Sequence, residues 1–281
     1  MTRYAIRHET RYRYAGFVTD IACTLRLKPV DWPGQRLVDY ALVVEPAGFV
    51  ADERGRACHR QHLEVTGPTE DLVITARAKV EVDRTVPFPQ DDDPMIGTVP
   101  TGSHPLLDPA ECLAPSPYAP FDAGIASWAA PVLTPGRPVL DAAFALARAL
   151  HGAMRYQPGA TDVETTPSQA FGRRAGVCQD FAQIMLVALR AHGVPAAYVS
   201  GYLPSGRPDL QGADASHAWI MVWAGEAQGW VGIDPTNALW MAGRHIVTAV
   251  GRDYGDVAPV TGVFMGPPGG SMTAAVEVVE G

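Results

Sequence analysis

The chain has 281 residues, enough for one large domain or two of ordinary size. Hydrophobic residues make up 47% and charged residues 19% of it, a composition typical of globular proteins and not of disordered ones. The net charge is −8, from 22 basic and 30 acidic residues, and no basic run occurs. This balance argues against nucleic acid as a partner, because phosphate binding requires clustered Lys and Arg.

The N-terminus and the cysteines indicate a reducing compartment. Residues 1–14 alternate polar and apolar side chains and lack the continuous apolar segment of a secretory signal. No run of 18 apolar residues occurs, so no membrane span and no membrane partner are predicted. The four cysteines lack the spacing of a disulfide framework. We therefore expect a cytoplasmic protein in which a free thiol persists.

Residues 1–87 are predicted to form an antiparallel β-sandwich domain. Between Tyr4 and Tyr14, aromatic, Ile, His and Thr side chains alternate with arginines, as in a strand with one buried face. Further short strands, separated by Gly, Pro and Asp turns, are predicted at 24–27, 37–44, 62–65 and 72–82. Residues 88–137 are rich in proline and weakly periodic, which predicts a connector.

Residues 138–281 are predicted to form an α+β core with C-terminal strands. Apolar residues at helical spacing follow Pro138, and Thr166–Gln169 has the form of a capping box. A helix is predicted from Cys178 to His192, because Gly193 follows it. Strands are predicted at 197–203, 217–223, 230–233 and 272–279, and helix followed by antiparallel strands is typical of an α+β fold.

Cys178 is the first candidate catalytic residue. Gly176 and Val177 lead directly into the helix that Cys178 begins, which places its sulfur at a helix N-terminus. Unpaired N–H groups and the helix dipole favour a thiolate there, and the same N–H groups can bind an oxyanion. The alternative is a small buried core residue, as free cysteines commonly are.

His217 and Asp234 complete a nucleophile–base–orienter set. His217 begins a strand candidate that is apolar on both faces, and Asp234 ends the next one, before Pro235. Adjacent antiparallel strands would place the carboxylate beside one imidazole nitrogen and leave the other for the thiol. Taken singly, each residue has a structural interpretation. His217 is then an edge histidine that bonds backbone, and Asp234 is a turn aspartate before proline.

Three segments resemble the core motifs of the transglutaminase-like superfamily, in the same order. They are GVCQDFAQIMLVALRAHGVPAAYVSGYL, DASHAWIMVW and GWVGIDPTN. The opening YAIRHETRYRY, the following LRLKP and the later HIVTAVGRDYGDV are similar to a bacterial branch that carries an N-terminal β-sandwich. The resemblance covers nearly the whole chain and is strongest at about 155–258. It implies an α+β fold, an N-terminal antiparallel β-sandwich on a papain-like, transglutaminase-like core.

The resemblance also implies roles for individual residues. Carried over, Cys178 is the nucleophile, His217 the general base and then acid, and Asp234 the orienter. Tyr156 stands at about the position where family members have an aromatic oxyanion donor. Gln183 departs from the pattern, because relatives commonly have His there. Candidates for the substrate cleft are Gln179, Trp219 and Gln183, and Trp219, Trp230 and Trp240 either form a tunnel that excludes water or pack in the core.

The predicted activity is acyl transfer from a peptide or carboxamide substrate through a thioester, most simply with hydrolysis, with no cofactor and no metal. Water as acceptor gives a peptidase or amidase, and an amine gives a transglutaminase. A non-catalytic binding or assembly scaffold is the alternative.

Pro204 to Asp214 is either a substrate-gating loop or a plain hairpin connection. Cys58, His59 and His62 lack the partner pair of a zinc site. Oligomeric state stays open.

Overall fold

A single long strand organises the N-terminal half of the protein. The computed structural model describes residues 1–87, 93–99, 102–213 and 216–281. Its strands are β1 (Thr2–Leu25), β2 (Gln35–Glu45), β3 (Phe49–Glu53), β4 (Arg60–Val65), β5 (Thr69–Val82), β6 (Arg155–Tyr156), β7 (Ala175–Gly176), β8 (Ala196–Tyr202), β9 (His217–Trp223), β10 (Trp230–Asp234), β11 (Leu239–Trp240), β12 (Ile246–Gly251), β13 (Val260–Met265) and β14 (Gly270–Glu280). Its helices are α1 (Ala123–Ala129), α2 (Val139–Ala153), α3 (Pro167–Arg173), α4 (Cys178–Ala191), α5 (Gly225–Gln228) and α6 (Tyr254–Val257).

β1 belongs to both halves of a curled antiparallel sheet. Its first half pairs with β5 and β14, and its second half pairs with β4 and β13. The register with β5 shifts between Arg13 and Val18, where the strand passes from one half to the other. β2 and β3 complete the two halves, which together form the predicted N-terminal β-sandwich. The predicted α+β fold class is confirmed.

The C-terminal hairpin joins this sheet. β14 pairs with β1 from Tyr4 to Tyr14, and β13 pairs with it from Thr19 to Leu25. Val276 and Val278 of β14 are buried beside Tyr4 and Ile6, which explains the pairing by burial of a shared apolar face. The domain boundaries 1–87, 88–137 and 138–281 stay a prediction. That prediction groups β13 and β14 with the core, whereas both strands pair with β1 in the N-terminal sheet.

The core is an antiparallel sheet that packs against α4. Its strands follow the order β11-β10-β9-β8-β12. Ala182, Met185 and Leu189 of α4 are fully buried in one cluster with Ile220 and Val222 of β9. The predicted helix start at Cys178 and the capping box, in which Thr166 and Gln169 bond each other's backbone N–H, are both confirmed. In the part of the chain that the structure describes, no helix is long and apolar enough to cross a membrane.

The end of α4 is tied to three other segments by one buried guanidinium. Arg190 donates to the carbonyl of Ala196 at 2.8 Å, to the carbonyl of Ala114 at 3.2 Å and to Ser116 Oγ at 3.2 Å. A further donor reaches the carbonyl of Arg252. These bonds satisfy carbonyl oxygens that the packing removes from water.

We expect Arg190→Met to lower the free energy of unfolding by about 3 kcal/mol, because several buried carbonyls lose a charged donor at once. Chemical denaturation measures the change. Arg13→Met is the control, since Arg13 and Asp71 form an exposed pair at 3.4 Å that contributes less than about 1 kcal/mol. Equal losses in the two variants would contradict the role of Arg190.

A buried histidine joins the N-terminal sheet to the core. His8 on β1 is 1% exposed, and its Nδ1 lies 2.9 Å from the hydroxyl of Tyr202 on β8. Its Nε2 lies 3.1 Å from Thr10 Oγ1. Burial lowers the pKa of His8 from 6.5 to about 4.

Protonation of His8 therefore favours unfolding as the pH falls. The unfolded chain takes up a proton below about pH 6.5 and the folded chain only near pH 4, so stability declines across that window. We expect His8→Gln to remove about 3 kcal/mol of this decline, the equivalent of the pKa difference. Urea midpoints at intervals between pH 7 and pH 4 measure it. Parallel pH profiles for the two proteins would be the contrary result.

Candidate active site

Local interactions fix the start of α4, where Cys178 is the first residue. Asp180 Oδ2 accepts the backbone N–H of Val177 at 2.7 Å and the hydroxyl of Thr161 at 2.6 Å. A Cβ on Gly176 would lie 2.5 Å from the same oxygen, so only glycine fits there. Within the described residues, the N–H groups of Cys178 and Gln179 have no acceptor, as expected for the first turn of a helix.

His217 and Asp234 meet in the interior of the core sheet. The first strand residue of β9 and the last of β10 lie at the same end of the two antiparallel strands. His217 Nε2 is 2.9 Å from Asp234 Oδ2, and both side chains are fully buried. His217 Nδ1 is also buried and has no hydrogen-bond partner among the described residues. One ring nitrogen is thus held by a carboxylate while the other is available.

The Asp234 carboxylate accepts hydrogen bonds from three further residues. Its Oδ1 accepts the backbone N–H groups of Thr236 at 2.9 Å and Asn237 at 3.1 Å. Its Oδ2 accepts Asn237 Nδ2 at 2.8 Å and lies 3.3 Å from His245 Nε2. His245 and Asn237 are not among the site residues predicted from the sequence. Asn237 directly follows the Asp-Pro-Thr motif, which is a usable signal, whereas nothing near His245 indicates its partner.

The charges of the site follow from these contacts. Burial raises the pKa of Asp234, but the charge of His217 and the bonds from His217 and His245 outweigh it and hold that pKa well below its usual range. Burial lowers the pKa of His217, and the Asp234 charge and hydrogen bond, with a contribution from Cys178, raise it above its usual range. Burial lowers the pKa of His245, so His245 is a neutral donor whose Nδ1 accepts the N–H of Ala242 at 3.3 Å.

Cys178 and His217 line one cavity between the core and the N-terminal sheet. Cys178 is 9% exposed, and its thiol lies 4.0 Å from the carbonyl of Ser216. The opposite wall comes from β1, β14 and the start of β13, with His8, Thr10, Tyr12, Met272, Ala274, Pro259 and Val260. A substrate that reaches the sulfur therefore contacts both parts of the protein.

The structure separates the predicted cleft residues. Gln179 lines the cavity, and its Nε2 is buried without a partner among the described residues. Trp219 and Gln183 lie outside the cavity, so their predicted cleft positions are wrong. Trp219 is fully buried and its Nε1 donates to Met241 Sδ at 3.1 Å, because its face of β9 packs in a second core cluster. Gln183 is 1% exposed because α4 carries it into the core.

The remaining tryptophans pack in the core and form no tunnel to the sulfur. Trp230 belongs to the same cluster as Trp219, and its Nε1 donates to the carbonyl of Leu107 at 3.2 Å. Trp240 stacks on Phe144 of α2 with ring centroids 4.5 Å apart. Neither residue lines the cavity.

The loop 204–213 lies against the free edge of His217. A Cβ on Gly212 would lie 2.6 Å from His217 Nδ1 and 3.4 Å from the Tyr156 hydroxyl. Tyr156, the oxyanion candidate, is thus near the imidazole but does not line the cavity. Gln211 N donates to Asn237 Oδ1 at 2.8 Å, so Asn237 joins the loop to Asp234. Residue 214, the last of the predicted loop, lies outside the described residues.

We expect Gly212→Ala to slow alkylation of Cys178 by iodoacetamide about tenfold or more, because the new methyl group displaces the imidazole or the loop. Mass spectrometry of a time course measures the rate. Gly206→Ala is a matched control: Gly206 lies in the same loop with φ +69°, against +81° for Gly212, and open space surrounds its Cβ position. Identical rates for the two variants would show that the contact has no effect.

In the part of the chain that the structure describes, no three His, Cys, Asp or Glu side chains are arranged so that they could hold a metal ion. Cys58, the first residue of the Cys58, His59 and His62 group, is buried.

Two family models match the chain. The model of the transglutaminase-like superfamily matches residues 126–235, which include Cys178, His217 and Asp234. The model of the bacterial transglutaminase-like N-terminal region matches residues 4–81.

Individual relatives agree with the family models. An uncharacterized protein of Mycobacterium tuberculosis is 34% identical over 275 residues, with 93% of this chain and 87% of the relative covered. A protein-glutamine gamma-glutamyltransferase of Pseudomonas aeruginosa is 37% identical over 89 residues, covering 30% of this chain and 13% of that protein.

A solved structure shares the fold. A Cytophaga hutchinsonii protein, proposed to be a cysteine protease, superimposes with a TM-score of 0.80 over 99% of this chain and 90% of that one, at 23% identity. The Mycobacterium tuberculosis relative, 34% identical over 93% of this chain, and the two family models together establish that the chain belongs to the transglutaminase-like superfamily.

Proposed function

We propose that this protein is a thiol-dependent acyltransferase that acts on peptide or carboxamide substrates through a thioester. In this proposal Cys178 is the nucleophile, His217 the acid/base partner and Asp234 the residue that orients the imidazole. One observation carries it: His217 lines the same cavity as Cys178, its Nδ1 is buried without a hydrogen-bond partner among the described residues, and its Nε2 is held by Asp234. This is the arrangement that a general base for a thiol requires.

In the first step the Cys178 thiolate attacks the carbonyl carbon of the substrate and a C–S bond forms. The carbonyl oxygen becomes an oxyanion, for which the backbone N–H groups of Cys178 and Gln179 at the start of α4 are candidate donors. The side-chain amide of Gln179 and the hydroxyl of Tyr156 are additional candidates. His217 then transfers its proton to the leaving nitrogen, the C–N bond breaks, and a thioester remains.

In the second step His217, now neutral, removes a proton from the acceptor. The acceptor attacks the thioester carbonyl, the C–S bond breaks, and Cys178 leaves as a thiolate beside the reprotonated imidazole. Asp234 remains ionised when His217 is charged, because the charge of His217 and the hydrogen bonds from His217 and His245 outweigh burial and hold the pKa of Asp234 low. Water as acceptor gives hydrolysis, which we favour, and an amine as acceptor gives a glutamyl transfer of the kind that the Pseudomonas relative's name describes.

Selective alkylation tests the nucleophile. Burial raises the pKa of Cys23 to about 11 and that of Cys112 to about 12, and it also raises the pKa of Cys58. We expect iodoacetamide at pH 6.5 to label Cys178 at least about 100-fold faster than these three thiols, because a thiolate and not a thiol reacts. His217→Ala should slow labelling of Cys178 about tenfold or more, since the neighbouring imidazolium is lost.

The exposed His62 supplies the control, and His62→Ala should label like the wild type. Incubation with a glutamine-containing peptide, with and without a fluorescent amine, then distinguishes amine transfer from ammonia release in water. A Cys178 no more reactive than Cys23, with no change on His217→Ala, would establish the non-catalytic scaffold instead.

A further inference from the structure

We infer that the outer edge of β14 binds the backbone of the substrate as an added β-strand, so that the substrates are extended or unfolded polypeptides and not small amides. This inference rests on the proposed function and specifies its substrate class. The edge is defined here as the outward backbone groups of Met272, Ala274 and Val276.

The register of β14 determines which backbone groups point outward. The N–H of Val278 donates to Ser205 Oγ at 2.9 Å, and the C=O of Val278 accepts the N–H of Ser205 at 3.0 Å. Both backbone groups of Val278 therefore point away from β1. β14 pairs with β1 without a register shift from Gly270 to Glu280. In an antiparallel strand the outward positions alternate, so residues 272, 274 and 276 also point away from β1. In the described part of the chain these groups have no hydrogen-bond partner.

This edge lacks the protection that free strand edges normally carry. Residues 271–276 read SMTAAV, with no charge and no proline, and Met272 is 57% exposed. The edge strands β2 and β3, by contrast, include Arg36 and Asp39, and Asp52 and Glu53. An uncharged, exposed edge is a template for strand addition, and a protein that retains one commonly uses it to bind a chain.

The edge lies at the cavity that contains Cys178. Met272 and Ala274 line that cavity together with Cys178, Ser216 and His217. A strand added to β14 would lie about 4.8 Å from it and would present alternate side chains to the cavity. A polypeptide bound in this way would bring one of its own side-chain or backbone carbonyls to the sulfur. A short amide that reaches the sulfur alone would leave the edge unused.

Proline at Ala274 tests the inference. Ala274→Pro removes one outward N–H and leaves the hydrogen bonds between β14 and β1 in place. Ammonia release is measured from β-casein, an unfolded glutamine-rich protein, and from a capped glutaminyl-glycine dipeptide. We expect Ala274→Pro to raise KM for β-casein by a factor at least about ten times larger than the factor for the dipeptide. This is the expected cost of losing one hydrogen bond to the edge and weakening the adjacent ones.

Glu280→Pro is the matched control, because residue 280 also points outward but lies six residues from Ala274, about 20 Å along the strand. It should leave both KM values unchanged. Thermal unfolding verifies that both variants fold. If Ala274→Pro does not fold, single N-methylation along the best glutamine-containing peptide of β-casein, tested on the wild type, should weaken turnover at every second residue.

Binding separates this inference from the proposed function. Fluorescein-labelled β-casein should bind the Cys178→Ser variant, and the added Ala274→Pro change should weaken that binding about tenfold, even if the wild type turns over nothing. Equal binding with and without Ala274→Pro would overturn the inference. So would a dimer that Ala274→Pro dissociates, because the edge would then belong to a second copy of the chain.

Discussion

The whole site depends on one buried ion pair, that of Asp234 and His217. Removing two charged groups from water costs several kcal/mol each, and their attraction offsets this only if hydrogen bonds complete the carboxylate. The structure supplies them from Thr236, Asn237 and His245 as well as from His217. The segment after β10 and the residue before β12 therefore both reach the carboxylate, although β9 and β8 separate these two strands in the sheet.

The same carboxylate connects the site to the loop beside it. Asn237 bonds Asp234 with one amide hydrogen and holds Gln211 through its oxygen and its other hydrogen. Gly212, the next residue, packs on the imidazole edge. A shift of the loop therefore reaches Asp234 through Asn237 and His217 through Gly212, which favours a single arrangement of the loop and both side chains.

The N-terminal sheet is part of the site as well as an attached domain. β1 and β14 provide one wall of the cavity, and His8 bonds Tyr202 across the junction. The N-terminal sheet thereby closes one side of the cavity that contains Cys178. The Cytophaga hutchinsonii structure shares this fold over 99% of the chain and so contains the same combination of sheet and core.

Much of the local structure could be predicted from the sequence, because it depends on neighbouring residues. Helix periodicity and the following Gly193 place α4, the Thr166–Gln169 pattern places α3, and alternation places β1 and β9. The family motifs singled out Cys178, His217 and Asp234 and implied their proximity. These are short-range signals, and the structure adds distances to them.

Contacts between distant segments required the tertiary structure. The pairing of β14 with β1, the bond of His245 to Asp234 and the position of Gly212 against His217 have no counterpart in local pattern. Trp219 and Gln183 were predicted to line the cleft. Trp219 shares the β9 face of His217, but it lies deeper along the strand, where that face packs in a core cluster. Rotation along α4 turns Gln183 away from Cys178 into the core. Burial and register are properties of the packed chain, and only packing decides them.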